Sequence, residues 1–272
     1  MKFFKVIIPN FNSEKYIKKC LESILGQTYE DFDIVIVDDM SVDNSVEIIK
    51  NFNDSRIHLI ENEEKRYNGG SRNVGIDYLE SKYTLFIDND DIFENNECFQ
   101  ALHDFIEENG RPDLVNLDYI YDDGTRHYIK LSRNDIETLV HDNNVACWTK
   151  CIKSELIVHF PENTLMEDVA QHIKQCDCIE TIASIEKPFV VWNRTNQDSC
   201  STNPSEKRKS SEWRQLADVY DLELVHECCI EEKERRVKEY LDLLLSGKHV
   251  WKELSRWKRK FIEQNMLKLK KL

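Results

Sequence analysis

Apolar residues recur along the first 90 residues in two alternating periods. Short runs rich in β-branched side chains read as strands: Lys5-Val-Ile-Ile-Pro9, Phe32-Asp-Ile-Val-Ile-Val37, Arg56-Ile-His-Leu-Ile60 and Tyr83-Thr-Leu-Phe-Ile87. Between them the spacing becomes helical. Ser13 opens a pattern of Tyr16, Ile17, Cys20, Leu21, Ile24 and Leu25; Ser41 can cap a helix carrying Val46, Ile48 and Ile49. Gly69-Gly70 breaks the chain before a helix with Val74, Ile76, Tyr78 and Leu79. Strands alternating with helices predict βαβ units, hence an α/β fold with a mostly parallel sheet flanked by helices. Ligands of such sheets sit at the carboxyl ends of the strands. Two acidic clusters fall there, Asp38-Asp39 and Asp88-Asn89-Asp90-Asp91.

The pattern loosens afterwards. A helix is expected from Cys98 to Glu108, then strands Leu114–Asp118 and Arg126–Leu131 around an Asp122-Asp123-Gly124 turn. Residues 135–192 mix short helices and strands and hold Trp148, Met166-Glu167-Asp168 and Phe189-Val-Val-Trp192. Asn196 to Lys209 is a polar loop, and a helical pattern runs from Ser210 to about Leu245 before Gly247 interrupts it.

Composition narrows the class. At 272 residues with 40% hydrophobic side chains, the chain suits one large domain, or one domain with an appendage. No apolar run approaches the ~18 residues of a transmembrane helix, and the first apolar stretch is too short for a signal peptide; a cytoplasmic protein is expected. Nine cysteines, an odd count without repeated CxxC spacing, read as free thiols in a reducing compartment. The net charge of -14 is unevenly spread: Lys248–Leu272 carries nine Lys or Arg against two Glu, a local +7 that leaves -21 for the remainder. The body therefore repels polyanions while the tail suits an anionic partner or a solvated helix face.

The acidic clusters carry candidate chemistry. Asp88-Asn89-Asp90-Asp91 offers hard oxygen ligands, and Mg²⁺ or Mn²⁺ needs only one or two carboxylates when a substrate's phosphates complete the shell. The same residues serve equally as an Asx turn. Asp38-Asp39 suits ribose or base recognition, or a helix N-cap with Ser41 and Asp43. With seven glycines and neither GxGxxG nor GxxxxGK[ST], there is no Gly-rich phosphate cradle, so phosphates would need a metal and a cation, for which Arg72 beside Asn73 is a candidate. Glu167-Asp168 reads alone as the acidic start of a helix.

Taken in order, these segments resemble the family 2 glycosyltransferases of the GT-A fold. The matching stretches are Val6-Ile-Ile-Pro-Asn-Phe-Asn12, Cys20-Leu-Glu-Ser-Ile-Leu-Gly-Gln-Thr28, Ile34-Val-Ile-Val-Asp-Asp-Met-Ser41, Asn68-Gly-Gly-Ser-Arg-Asn-Val-Gly75 and Leu85-Phe-Ile-Asp-Asn-Asp-Asp91. Looser matches follow at Trp148-Thr-Lys150, Glu167-Asp168 and Asn193-Arg194 with Ser199. The resemblance implies a Rossmann-like GT-A domain over 1–205, with a nucleotide-sugar half (1–91) and an acceptor half (92–205), followed by a helical extension over 206–272.

It also implies the chemistry: inverting transfer of a single hexosyl or pentosyl unit from a UDP-sugar to an acceptor hydroxyl, dependent on Mn²⁺ or Mg²⁺. Pro9, Asn10, Phe11 and Asn12 would wall the nucleotide pocket, and Asp39, with Asp38 beside it, would accept from the uracil N–H. Arg72 and Asn73 would face the diphosphate or donor sugar. Asp88 and Asp90, with Asn89 between them, form the DxD pair, Asp90 being the direct metal ligand and Asp91 a further candidate. Asp168 would be the general base, with Glu167 beside it; Trp148, Arg194 and Ser199 are candidates for acceptor or diphosphate contact. The QxxRW motif and transmembrane helices of processive relatives are missing, in keeping with single-residue addition.

The tail bears on the acceptor. Trp251, Leu254, Trp257, Phe261, Ile262 and Leu269 among its cations suit an interfacial helix at the inner face of a membrane holding a lipid-linked glycan. They also suit nucleic-acid phosphates, which keeps glycosylation of a hydroxymethylated DNA base as an alternative. Packing on the catalytic domain is a third use. A nucleotidyltransferase and an inactive sugar-nucleotide-binding relative are the readings outside this activity.

Overall fold

The computed structural model describes residues 1–127, 146–162, 167–176 and 178–196. The expected C-terminal extension, its basic tail and Ser199 lie outside the described residues. The chain runs β1 (Lys2–Asn10), α1 (Ile17–Leu25), β2 (Phe32–Asp38), α2 (Ser45–Lys50), β3 (Ile57–Glu61), α3 (Tyr67–Tyr78), β4 (Ser81–Phe86), β5 (Ile92–Phe93) and α4 (Cys98–Glu108). There follow β6 (Leu114–Tyr121), β7 (Arg126–His127), β8 (Lys150–Lys153), α5 (Glu167–Cys176) and β9 (Ile182–Trp192). One nine-stranded sheet has the order β3-β2-β1-β4-β8-β6-β9-β5, with β7 on β6.

The first-half strands pair in parallel, as the βαβ pattern predicts. The far half makes the sheet mixed: β8 runs antiparallel to both β4 and β6, while β6 and β9 are parallel. The apolar runs of β1 and β2 are continuous because both faces are covered. Val6, Ile8, Ile34 and Ile36 pack with Ile17, Leu21 and Ile24 of α1 and Phe99, Leu102 and Ile106 of α4. Ile7, Val35 and Val37 face the other way, with Phe86, Phe160, the α3 residues Val74 and Ile76, and Leu79 just past that helix. Lys5, inside the first apolar run, donates from Nζ to the Ile76 and Leu79 carbonyls at 2.6 and 2.7 Å, so this buried cation satisfies the C-terminal end of α3.

Several boundaries differ from the pattern, each for a local reason. The helix expected to open at Ser13 begins at Ile17, after a turn in which the Tyr16 and Ile17 N–H groups bond the Ser13 carbonyl. Ser41 caps nothing; its hydroxyl donates to Asp38 Oδ1 at 2.6 Å, and α2 starts at Ser45. Gly69 and Gly70 lie within α3 rather than before it. Glycine is needed along that helix for close approach, since a Cβ on Gly75 would meet Ile7 Cγ2 at 2.7 Å. Ile7 is β-branched and buried in β1, so it has no rotamer to escape into. We expect Gly75→Ala to cost about 1–3 kcal/mol from overpacking, offset by at most about 1 kcal/mol of helix preference; a chemical denaturation curve with an unchanged midpoint would contradict this.

The six described cysteines are free. Among the described residues no helix is long and apolar enough to cross a membrane.

Candidate active site

The ends of β1 and β2 are tied together by side chains. Asn10 and Asp38 are register partners, and Asn10 Nδ2 donates to Asp38 Oδ1 at 2.6 Å. Asp38 also accepts from the Ser41 N–H at 2.9 Å. Asn12, in the left-handed region at φ 49, accepts from the Val42 N–H at 2.9 Å. Asn10, Asn12 and Asp38 therefore shape the loop following Pro9, and the ring left open is Phe11, 44% exposed. Lys65 Nζ lies 2.9 Å from that ring's centroid.

Asp39 is 3% exposed and its carboxylate is crowded with donors. Oδ1 accepts from Asn62 Nδ2 at 3.1 Å and the Arg66 N–H at 2.7 Å; Oδ2 accepts from the Tyr67 N–H at 2.8 Å and pairs with Lys65 Nζ at 3.1 Å. Burial pushes this carboxyl up, but the Arg66 N–H, Asn62 and Lys65 outweigh it and hold Asp39 below the usual carboxylate range. A nucleobase N–H reaches Asp39 only in exchange for one of these donors. Lys65 and Asn62 were missed in the sequence because they lie in a polar loop with no motif. Their signal was spacing alone, as the stretch leading from β3 into α3.

The second cluster follows β4. Asp88 Oδ1 accepts from Arg72 Nη2 at 2.7 Å, and Asp90 Oδ2 accepts from Asn196 Nδ2 at 2.6 Å. Asn196, unnoticed in a segment read as loop, also accepts from the Tyr16 hydroxyl at 3.2 Å. Asn89 is half-buried between the two acids. Burial, then the neighbouring Asp88, pushes the Asp90 carboxyl up to about 6, despite the Asn196 hydrogen bond. Asp91 is 1% exposed, and its Oδ1 accepts from the Asn193 N–H at 2.8 Å, anchoring the end of β9. Among the described residues no three Asp, Glu, His or Cys converge as a metal cage. Asp88 and Asp90 supply two hard carboxylates, which would suit a dication that takes further ligands from a substrate's phosphates.

The third part is the start of α5. Glu167 is 5% exposed and takes the Arg72 guanidinium through Nη1. Arg72 is 3% exposed; burial opposes its charge, and Cys147, Asp88, Glu167 and Asp168 more than reverse this. Asp168 is half-buried. Burial first, then the Glu167 carboxylate, pushes its carboxyl up to about 7 against the opposing pull of Arg72 and Lys150. Lys150 is itself fully buried, donates to the Ala146 carbonyl at 2.8 Å, and is lowered by burial to about 8.

Asn73 is hydrogen-bonded to backbone. Its Nδ2 donates to the Phe160 carbonyl at 2.9 Å and its Oδ1 accepts from the Phe160 N–H at 2.8 Å, so the whole amide is spent on one backbone residue. Trp148 is 8% exposed, edge-on to Tyr119 at 4.9 Å and tilted against Trp192 at 5.7 Å, a core contact rather than an open one. Arg194 is exposed, its guanidinium 4.5 Å over the Tyr121 ring. The structure thus gathers Asp88, Asp90, Arg72, Glu167 and Asp168 into one connected group, with Phe11, Asp39 and Lys65 at the neighbouring strand ends.

Known proteins are similar to this chain in sequence and in fold. Residues 5–155 match the family model described as glycosyl transferase family 2. Glycosyltransferase GlyG of Streptococcus pneumoniae is 32% identical over 129 residues, which span 47% of this chain and 42% of that protein. The Escherichia coli UDP-Glc:alpha-D-GlcNAc-diphosphoundecaprenol beta-1,3-glucosyltransferase WfgD is 25% identical over 229 residues, 79% of this chain and 86% of that one. In fold, the chain is similar to residues 1–349 of Staphylococcus aureus TarS in complex with UDP-GlcNAc, with a TM-score of 0.72 at 21% identity over 86% of this chain and 71% of that one. A family match over more than half of the residues, on a GT-A sheet whose strand ends hold the acidic pairs, shows that this chain belongs to glycosyl transferase family 2.

Proposed function

We propose that this chain transfers a single sugar from a UDP-sugar to a hydroxyl of a glycan or lipid-linked glycan, with inversion at the anomeric carbon and with Mn²⁺ or Mg²⁺ bound. The observation that carries the reading is Asp168: a half-buried carboxylate with its pKa pushed up to about 7, joined through Glu167 and Arg72 to the acidic pair at the end of β4. A general base works best when its pKa lies near the working pH. The UDP-GlcNAc complex of TarS supports the donor class, and the diphosphoundecaprenol-linked acceptor in the name of WfgD supports the acceptor class.

The uracil stacks on Phe11 and displaces Lys65 to gain an acceptor on Asp39. Asp88 and Asp90 would hold the cation. When bound, Mn²⁺ or Mg²⁺ supplies neutralisation of the charge that builds on the UDP leaving group. Asp168 takes the proton of the acceptor hydroxyl as its oxygen bonds the anomeric carbon and the bond from that carbon to the β-phosphate oxygen breaks. A single base opposite the leaving group, with no nucleophilic carboxylate, produces inversion.

The test is UDP release with Mn²⁺ across a panel of UDP-sugars, followed by calorimetry with the same donors. Binding and slow hydrolysis of one donor support the reading; a protein that binds no nucleotide-sugar in either metal removes it. The pH dependence is a sharper check. Asp168 must be ionised to accept a proton, so below about 7 the transfer rate should fall roughly tenfold per pH unit and above it level off. A profile flat down to pH ~5 would remove Asp168 from the base role.

A further inference from the structure

We infer that Arg72 is a positioning residue that sets the base-bearing start of α5 against the end of β4, and is not a ligand of the donor; this rests on the transferase reading above. Each of its terminal nitrogens already donates to a carboxylate, Nη2 to Asp88 Oδ1 at 2.7 Å and Nη1 to Glu167 Oε1. The side chain is 4% exposed, which leaves a phosphate almost no surface to touch. The Phe160 ring centroid lies 5.3 Å from the guanidinium carbon, filling another side. Arg Nε is buried and makes no hydrogen bond among the described residues, so the guanidinium is held by its fork alone.

Its neighbours on α3 serve the same segment. Positions 69, 72 and 73 share one helix face through the three- and four-residue spacing. A Cβ on Gly69 would meet the Pro161 carbonyl oxygen at 2.5 Å and Glu167 Cγ at 3.0 Å, so the helix approaches as closely as only glycine allows. Asn73 holds Phe160 by both backbone groups. Gly69, Arg72 and Asn73 thus fix residues 160–161 and 167, and Arg72 alone extends the connection to Asp88. The two ends of the reaction, leaving-group side and base side, meet through one buried cation. Since Asp168 follows Glu167 directly, a shift of Glu167 displaces the base, and displacement of about 1 Å costs roughly 10²-fold in rate.

The experiment compares full-length wild type, Arg72→Lys, Glu167→Gln and the double variant. It reads kcat and KM for UDP release with acceptor, UDP affinity in Mn²⁺ by calorimetry, and the melting temperature. A lysine cannot span both carboxylates, so we expect kcat to fall about 10²-fold in Arg72→Lys with UDP affinity unchanged. Glu167→Gln keeps the side-chain shape and reports the same link should Arg72→Lys fail to fold. Both substitutions cut one connection, so the double variant should fall no further than the worse single one, within about twofold. Loss that appears in UDP affinity would make Arg72 a donor ligand. A lowered melting temperature with wild-type kcat would make it merely structural, and losses that multiply would break the link; each overturns the inference. Wild-type protein that neither binds UDP nor releases it would overturn the transferase reading and this inference together.

Discussion

Replacing Asp168 with Asn should leave UDP affinity in Mn²⁺ at its wild-type value and lower sugar transfer by about 10²–10⁴, the usual contribution of a general base. The amide preserves the size of the side chain at the start of α5 while removing the only function the reading assigns to it, uptake of the acceptor proton. Because burial and the Glu167 carboxylate already penalise a charge at Asp168, the neutral amide is tolerated in the fold. The acid limb of the pH profile should vanish with the same substitution, since the group that produces it is gone. Calorimetry and a transfer assay on one preparation decide the matter. Near wild-type turnover would take Asp168 out of the reaction, and loss of UDP affinity would place it with the donor instead.

Asp90→Ala carries the second large effect. Asp90 and Asp88 stand close together at the end of β4, and burial first, then the neighbouring Asp88, raises the pKa of Asp90. A dication relieves their repulsion, so the variant should lose the part of UDP affinity that depends on metal, by more than the roughly 10–100-fold typical of residues one layer further out. Its affinity in Mn²⁺ should equal that in a chelator. The sign of the linkage provides a folding control. A carboxyl whose folded pKa is raised favours the native state at low pH and loses that contribution as pH rises from 3.8 to about 6. At neutral pH its charge is a burden on the fold, so a melting temperature well below wild type would mean that the loss of binding came from unfolding. Unchanged UDP affinity with and without Mn²⁺ would remove Asp90 as the metal ligand.

Much of the nucleotide half was legible before any coordinates. Strands of period two and helices of period three to four put Asp38-Asp39 and Asp88–Asp91 at strand ends, and the order of the motifs pointed to the family. Individual roles were harder to read. Asp91 and Asp90 are adjacent and chemically identical, yet one anchors the Asn193 N–H in the interior while the other stands half-buried beside Asp88. Arg72 and Asn73 looked like a pair facing phosphate; in the fold Arg72 takes the Asp88 and Glu167 carboxylates and Asn73 the Phe160 backbone.

What local order alone decides here is the set of elements and the chemistry at their ends, because hydrophobic period and strand-end position depend on near neighbours. What the tertiary structure decided is who touches whom. Lys65 on Phe11 and Asp39, Asn196 on Asp90, and Arg72 between Asp88 and Glu167 join residues far apart in the chain. The mixed half of the sheet has the same origin: β8 pairs antiparallel with β4 and β6 across long connections, and no short-range pattern encodes which edge a strand will meet. Contacts of that range are selected by packing the whole core at once, which is why the acidic residues and Arg72 were visible in the sequence and the connection between them was not.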